Sequence, residues 1–285
     1  MTYTYQPELQ KISTEEAIRA LQARHPGRIQ VGPINCDEGI EFVEARLRAL
    51  GVEVAPLRVD PARYRAYLAR AEYAARYPDY YLGNFPEKSF EHFIVDEIGA
   101  MATGRVFIDI ASEHSPLVEI AARVRDCTSY SQDIMYPAGI RGNQIGSDAS
   151  SLPVADESFD LAAATCSIEH FEGDADVRFL REMQRTLRPG GRVVIVPLYL
   201  FHRSSVQTDP VYAATGTVRF DDGAEIFCAP GWGNRHGRFY SPDTLHARLI
   251  APNRRMRFRV LRLQNPAEID PSIYCRFILE GTKLA

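Results

Sequence analysis

SFDLAAATCSIEHFEGDADVRFLREMQRTLRPGGRVVIVPLYL, residues 158–200, reads as strand, loop, helix, turn and strand. FDLAAATCS is a short, almost unbroken apolar run, as expected of a strand covered on both faces. DADVRFLREMQRTL is helical in pattern. Gly190 and Gly191 are most simply the turn after that helix, and RVVIVPLYL is the next strand. A strand, a helix and a second strand in this order form a right-handed crossover between parallel neighbours.

The same alternation extends toward the N-terminus. RVFIDIA, PLVEIAARV, TSYSQDI and QIGSD precede the quoted stretch, again as strands and a helix. Toward the C-terminus the pattern changes. MRFRVLRLQ and SIYCRFILEG are strands joined by NPAEIDP, which predicts an antiparallel pair closing the sheet. The first hundred residues read as helical. Ser13 and Glu16 form a capping box, Gly51 stops a helix carrying Ile40, Val43 and Leu47 on one face, and Asp60 with Pro61 starts another. The fold expected is therefore α/β: a doubly wound, Rossmann-like, mostly parallel sheet of seven strands with an antiparallel C-terminal pair. Residues 1–103 form a helical extension and lid, and residues 104–285 an α/β domain with an insertion at 200–240.

Composition narrows the function. Of 285 residues, 45% are hydrophobic and 25% charged, and the net charge is −4. This argues against a general nucleic-acid binder. The five cysteines, Cys36, Cys127, Cys166, Cys228 and Cys275, are odd in number and widely spaced, as in a reduced, cytoplasmic protein rather than a disulfide framework or a zinc site. No signal peptide and no apolar run of membrane-spanning length is visible. His170, His202 and His236 lack metal-site spacing, so no metal is expected. RRMRFRVLR, residues 254–262, reads as an ordinary strand with a solvated basic face.

SDASSLPVADESFDLAAATCSIEHFEGDADVRFLREMQRTLRPGGRVVIVPLYL, residues 147–200, resembles the second half of a class I S-adenosylmethionine (SAM) dependent methyltransferase of the small-molecule type. The resemblance spans roughly Phe107 to Leu200 and implies SAM as cofactor. It places the cofactor beyond the carboxyl ends of the strands. Asp109 ends the first strand. Asp133 ends the second and would hold the ribose hydroxyls, with Ile134 beside it; Asp148 and Ala149 would meet adenine. Asp133 and Asp148 also suit a turn or cap, and Asp160 is structural. Cys166 would face the reactive end of the cofactor, with Tyr81 covering it.

The family's glycine loop is altered. Ala111, Glu113 and Ser115 stand where glycines are usual. Glu113 would either pair with the amino group of SAM or repel its carboxylate, which Ser112, Ser115 and the amides before the Pro116 helix would hold. His170 is the candidate general base and Glu169 the next; the alternative for His170 is a loop residue that bonds backbone or touches cofactor only. Tyr80, Phe85, His202, Arg203, Trp232, His236, Arg238 and Tyr240 are the candidate substrate residues, against the alternative of a packed loop with solvated charges. The expected activity is methyl transfer to a small molecule, with a hydroxyl of a sugar, glycan precursor or secondary metabolite as acceptor. No nucleic-acid or membrane partner is expected, and a homodimer is allowed. Two further readings stay open: another displacement at the sulfonium, such as intramolecular cyclisation, and a scaffold that no longer binds the cofactor.

Overall fold

The computed structural model describes residues 12–80, 82–214 and 217–285. The strands, in chain order, are β1 (Ile29–Val31), β2 (Glu53–Leu57), β3 (Val106–Ile110), β4 (Thr128–Arg141), β5 (Gln144–Gly146), β6 (Phe159–Thr165), β7 (Leu187–Val196), β8 (Ser205–Thr208), β9 (Glu225–Cys228), β10 (Gly237–Phe239), β11 (Met256–Leu263) and β12 (Phe277–Lys283). The longer helices are α1 (Thr14–Arg24), α2 (Ile40–Ala49), α3 (Pro61–Ala71), α4 (Phe85–Gly99), α5 (Leu117–Arg125) and α6 (Ala175–Thr186). The main sheet has the order β2-β11-β12-β7-β6-β3-β4-β5. β12 is antiparallel to both β7 and β11, and the remaining pairings are parallel where strands run forward.

The seven expected strands are all present. An eighth, β2, comes from the segment read as helical and joins the far edge, with Glu53–Leu57 in register with Arg259–Leu263. Local caps formed as their residues dictate. Ser13 Oγ accepts from Glu16 N while Glu16 Oε2 accepts from Ser13 N, and Asp60 Oδ1 accepts from Ala62 N ahead of Pro61.

Alternate residues of the central strands feed two cores. Ile108, Ala162, Ala164, Val193 and Ile195 pack with Val43 and Leu47 of α2 and Phe179, Leu180 and Met183 of α6. Phe107, Leu161, Ala163, Val194 and Val196 pack with Tyr64 and Tyr67 of α3, Phe90, Phe93 and Ile94 of α4, and Leu117 and Ile120 of α5. Period-two alternation therefore sends neighbouring residues to opposite helical layers. α3 and α4 thus build part of the second of these cores.

A smaller sheet of order β1-β9-β8-β10 joins the N-terminal segment to the 200–240 segment. Both expectations for these regions are corrected by it. The extension is not wholly helical, and the insertion, read as irregular, supplies three strands whose three- or four-residue length left little periodicity to read.

Candidate active site

The order of the main sheet reverses at β3, with β4 and β5 to one side and β6 and β7 to the other. Asp109 and Cys166 lie at or just beyond the carboxyl ends of β3 and β6, Ser147–Ala149 follow β5, and Asp133 is the last residue of β4 before its pairing with β5 breaks register; ligands of doubly wound sheets sit at such strand ends.

The loop after β3 keeps the glycine backbone without glycine. Ala111 has φ 51° and Glu113 φ 47°, a left-handed conformation that costs an L-residue about 1–2 kcal/mol. Glu113 is exposed, and it is its backbone N–H that donates to Asp133 Oδ2, at 2.9 Å. Three other amides of the loop are held within the chain. Ala111 N donates to Gln132 Oε1 at 3.1 Å, Ser112 N to Gln132 O at 2.9 Å, and Ser115 N to Ser112 O at 2.7 Å. Gln132 Nε2 donates to Ser147 O at 2.6 Å, so this buried residue links the loops after β3 and β5. Tyr136 Oη donates to Glu113 O at 2.6 Å. Ala111→Gly is expected to raise the free energy of unfolding by about 0.5–1 kcal/mol, checked by urea denaturation. A loss of that size, the ordinary penalty of glycine, would mean that the turn is unstrained.

Asp109 is fully buried and neither carboxylate oxygen has a partner. Burial pushes its carboxyl up to about 7, opposed by the Ser115 hydroxyl and aided by the charge of Asp133. Ser115 Oγ is itself engaged, 3.2 Å from His92 Nε2 and accepting from Leu117 N at 3.2 Å. Asp133 is buried and holds its own turn, accepting from Met135 N at 2.8 Å as well as from Glu113 N. The second lone pair on each oxygen is left for a ligand. Asp148 is exposed and accepts from Ser150 N and Oγ through Oδ1, at 2.8 and 2.7 Å. Ala149 is buried and Ile134 is 44% exposed. Tyr81 lies outside the described residues.

Beyond β6, Cys166 has φ 48° and donates its N–H to Val196 O, and a 3-10 turn spans Ile168–His170. The 200–240 segment closes on this turn. His236 Nδ1 lies 2.9 Å from Glu169 O and His170 Nδ1 lies 2.5 Å from His236 O. Carbonyls only accept, so each Nδ1 carries hydrogen and each Nε2 keeps a lone pair when the ring is neutral. Burial pushes His236 down to about 3, and its Nε2 has no partner. His170 Nε2 stands 3.6 Å from Glu169 Oε1, beyond hydrogen-bond length. Trp232 covers the turn, its ring centroid 6.0 Å from that of His170, and a Cβ at residue 237 would come within 2.4 Å of Trp232 Cη2.

Residues 116–195 match a family model described as "Methyltransferase domain". That stretch of the chain is similar to a methyltransferase domain. The match begins after the altered loop and ends with β7. Among solved structures, the chain is similar to the YcgJ protein from Bacillus subtilis (13% identity, TM-score 0.45, covering 69% of this chain and 99% of that one). It is also similar to the Burkholderia thailandensis 1,6-didemethyltoxoflavin-N1-methyltransferase with bound 1,6-didemethyltoxoflavin and S-adenosylhomocysteine (18% identity, TM-score 0.43, covering 81% and 93%). A third is a putative methyltransferase in complex with the Haloferax volcanii Trm112 methyltransferase activator (10% identity, TM-score 0.46, covering 76% and 98%). No curated protein matches the sequence.

Several candidate substrate residues lie inside rather than at an open face. Arg238 is 1% exposed and is bound by Asp221, Asp176 and the carbonyls of Phe171 and Gly173. Tyr240 Oη donates to Asp176 Oδ2 at 2.8 Å. Both therefore hold the 200–240 segment to the loop before α6 and to its first turn, a structural role in place of the expected role in binding. His202 lies 3.8 Å from Glu38 in the turn before α2, and Arg203 lies 3.1 Å from Glu225 at the start of β9. Phe85 packs edge-on to Tyr73, and Tyr80 stacks on His92 with its Oη 3.1 Å from Nε2. Tyr80 is thereby linked through His92 and Ser115 to the altered loop.

Sequence reasoning passed over α4. Glu87, Lys88, Glu91 and His92 are all buried on it. Lys88 Nζ is 3.2 and 3.3 Å from the oxygens of Glu91. Glu87 Oε2 accepts from Tyr274 N at 2.7 Å and Cys275 N at 3.2 Å. Cys166 Sγ lies 3.4 Å from Tyr199 Oη and 3.8 Å from Tyr274 Oη, and burial, with the charge of Glu91, pushes its thiol well up. The only available signal was charge within an otherwise apolar helix, which looks the same on a solvated face. Among the described residues, no cluster of three or more His, Cys, Asp or Glu could hold a metal, and no helix is long and apolar enough to cross a membrane.

Proposed function

We propose that this chain is a SAM-dependent methyltransferase of a small molecule, transferring methyl to a hydroxyl of a sugar, glycan precursor or secondary metabolite. The observation that carries this reading is Asp109: a fully buried carboxylate without a partner, beside a loop in glycine conformation at the switch point. These residues fit the cofactor. Asp109 would take its ammonium group, the remaining lone pairs of Asp133 its ribose hydroxyls, and Asp148 its adenine amino group. When bound, SAM supplies a methyl on a sulfonium. The chain's own part is to align the acceptor, exclude water and receive its proton. His170 is oriented for this, since the His236 carbonyl fixes Nδ1 and leaves Nε2 as the basic atom. All five cysteines are free, which supports a reducing, cytoplasmic setting.

One observation favours a second reading, a scaffold that does not bind the cofactor: the amides of Ala111, Ser112, Glu113 and Ser115 are all bonded within the protein. The cyclisation reading rested on the Glu113 carboxylate meeting methionine, and exposure of that side chain removes its support. Titration calorimetry with SAM and S-adenosylhomocysteine separates the first two. Micromolar binding of either is expected, and no heat from either would leave the scaffold. Asp133→Ala is expected to weaken binding at least tenfold, both by loss of its ribose contact and by release of Glu113. His170→Ala should leave binding unchanged and slow turnover by about 10²-fold or more.

A further inference from the structure

The two peptide groups that flank the Cα of Glu113 are both held by one stretch of β4. Glu113 N–H donates to Asp133 Oδ2 at 2.9 Å, and the carbonyl of Glu113 accepts from Tyr136 Oη at 2.6 Å. Residues 134–137 make an arch whose two feet, Asp133 and Ala138, are both in register with Gly146 of β5. The arch passes so close that a Cβ on residue 146 would collide with the carbonyls of Tyr136 and Pro137. Asp133 Oδ1 accepts from Met135 N at 2.8 Å, so the carboxylate that holds the loop also braces the arch. A carbonyl only accepts, so the single phenol hydrogen of Tyr136 goes to Glu113 O, and the 3.2 Å contact between Tyr136 Oη and Ser112 Oγ is donated by Ser112. The orientations of the two peptide planes beside a Cα set its φ and ψ. Glu113, at φ 47°, is therefore kept left-handed by contacts where glycine would need none.

We propose that Tyr136 is a positioning residue of the ligand site: its hydroxyl keeps Glu113 left-handed, and through the Glu113 N–H it keeps the Asp133 carboxylate turned to the loop after β3. The part of this that concerns a ligand rests on the cofactor reading above. Without the hydroxyl, the bond to Asp133 still sets one peptide plane, but the bond that sets the other is gone. Residue 113 then relaxes toward the right-handed or extended conformations that an L-residue prefers, and a ligand has to restore the left-handed form as it binds. Glycine at 113 removes this dependence, because the left-handed region is as open to it as the right-handed one. The hydroxyl of Tyr136 thus matters to the loop only while residue 113 is not glycine, a condition that an ordinary packing contact does not share.

The experiment compares the full chain as wild type, Tyr136→Phe, Glu113→Gly and the double variant. Tyr136 is half-buried and loses only its hydroxyl, so the fold is retained. Amide hydrogen exchange over residues 111–115 is read by mass spectrometry without ligand, and binding of S-adenosylhomocysteine by calorimetry. Tyr136→Phe is expected to speed exchange of these amides about fivefold or more and to weaken binding by a similar factor, the ratio that matches the ordinary preference of an L-residue against the left-handed region. The same change in the Glu113→Gly chain is expected to alter each by less than twofold. Equal effects in the two backgrounds, or unchanged exchange in Tyr136→Phe, would overturn the proposal. Faster exchange with unchanged affinity would overturn the positioning role. No heat from any of the four proteins, with the glycine-dependent difference in exchange intact, removes the cofactor reading and supports the hold of Tyr136 on the loop.

Discussion

Asp176→Ala is expected to lose about 3–5 kcal/mol of stability, a large share of the roughly 5–15 kcal/mol by which a folded domain exceeds its unfolded chain. Asp176 is fully buried. Its Oδ1 pairs with Arg248 at 2.6 Å, and its Oδ2 accepts from Tyr240 Oη at 2.8 Å and Arg248 Nε at 3.0 Å, with Arg238 at 3.2 Å. Arg238, itself 1% exposed, also binds Asp221 and the carbonyls of Phe171 and Gly173. Removing Asp176 leaves the buried Arg238 guanidinium with a single carboxylate and the partly exposed Arg248 with none, and the cost is mostly that of the uncompensated charge. The measurement is urea denaturation of Asp176→Ala, Arg238→Met and the double variant. A strong coupling in the cycle is expected, so that the double variant costs clearly less than the two single losses added. Additive losses would mean that the two residues act separately. Turnover should fall with stability, because this network seats the segment carrying His236 against Glu169 and His170.

Asp109→Asn is expected to act in opposite directions on stability and on ligand binding. Burial raises the Asp109 carboxyl from its ordinary 3.8 to about 7. A carboxyl raised in the folded state contributes stability that is fully present below its unfolded value and is lost as pH rises through its folded value. The wild-type protein should therefore weaken between about pH 4 and pH 8, this group alone accounting for about 3–4 kcal/mol. Glu87, raised by burial to about 7, adds a second slope in the same window. Asparagine cannot ionise, so the variant should lose roughly half of this slope and be more stable than wild type at pH 8 by about 2 kcal/mol, after the cost of burying its amide. Melting temperature measured from pH 4 to pH 8 checks this. The same variant should bind SAM at least tenfold more weakly, since the ammonium group loses its carboxylate. A pH profile identical to that of wild type would mean that Asp109 is already satisfied, and the fit to SAM would lose its main support.

The site was legible where chemistry follows from position along a strand. Asp109, Asp133, Asp148 and Cys166 were placed by counting from strand ends, and in the structure they end or follow the forward runs of β3, β4, β5 and β6. Glu113 shows the limit of that counting. Its identity suggested a charge against a zwitterion, but the residue is exposed and its backbone, not its carboxylate, does the work of the absent glycine. Arg238 and Tyr240 were misread for a related reason. Basic and aromatic residues in a segment without periodicity look like a binding surface until the partner that neutralises them, Asp176, is seen sixty-two and sixty-four residues earlier in the chain.

By itself, the sequence determined the local elements and much of their order: the caps of α1 and α3, the alternation from β3 to β7 and the antiparallel β11–β12 pair. These depend on residues within a few positions of each other, where period and capping are set by short-range sterics and hydrogen bonding. Only the tertiary structure decided that β2 extends the main sheet, that β1 joins the 200–240 segment in a second one, and that the charged residues of α4 turn inward. Each depends on partners far apart in sequence, and for a charged side chain burial and solvation look alike until those partners are in place.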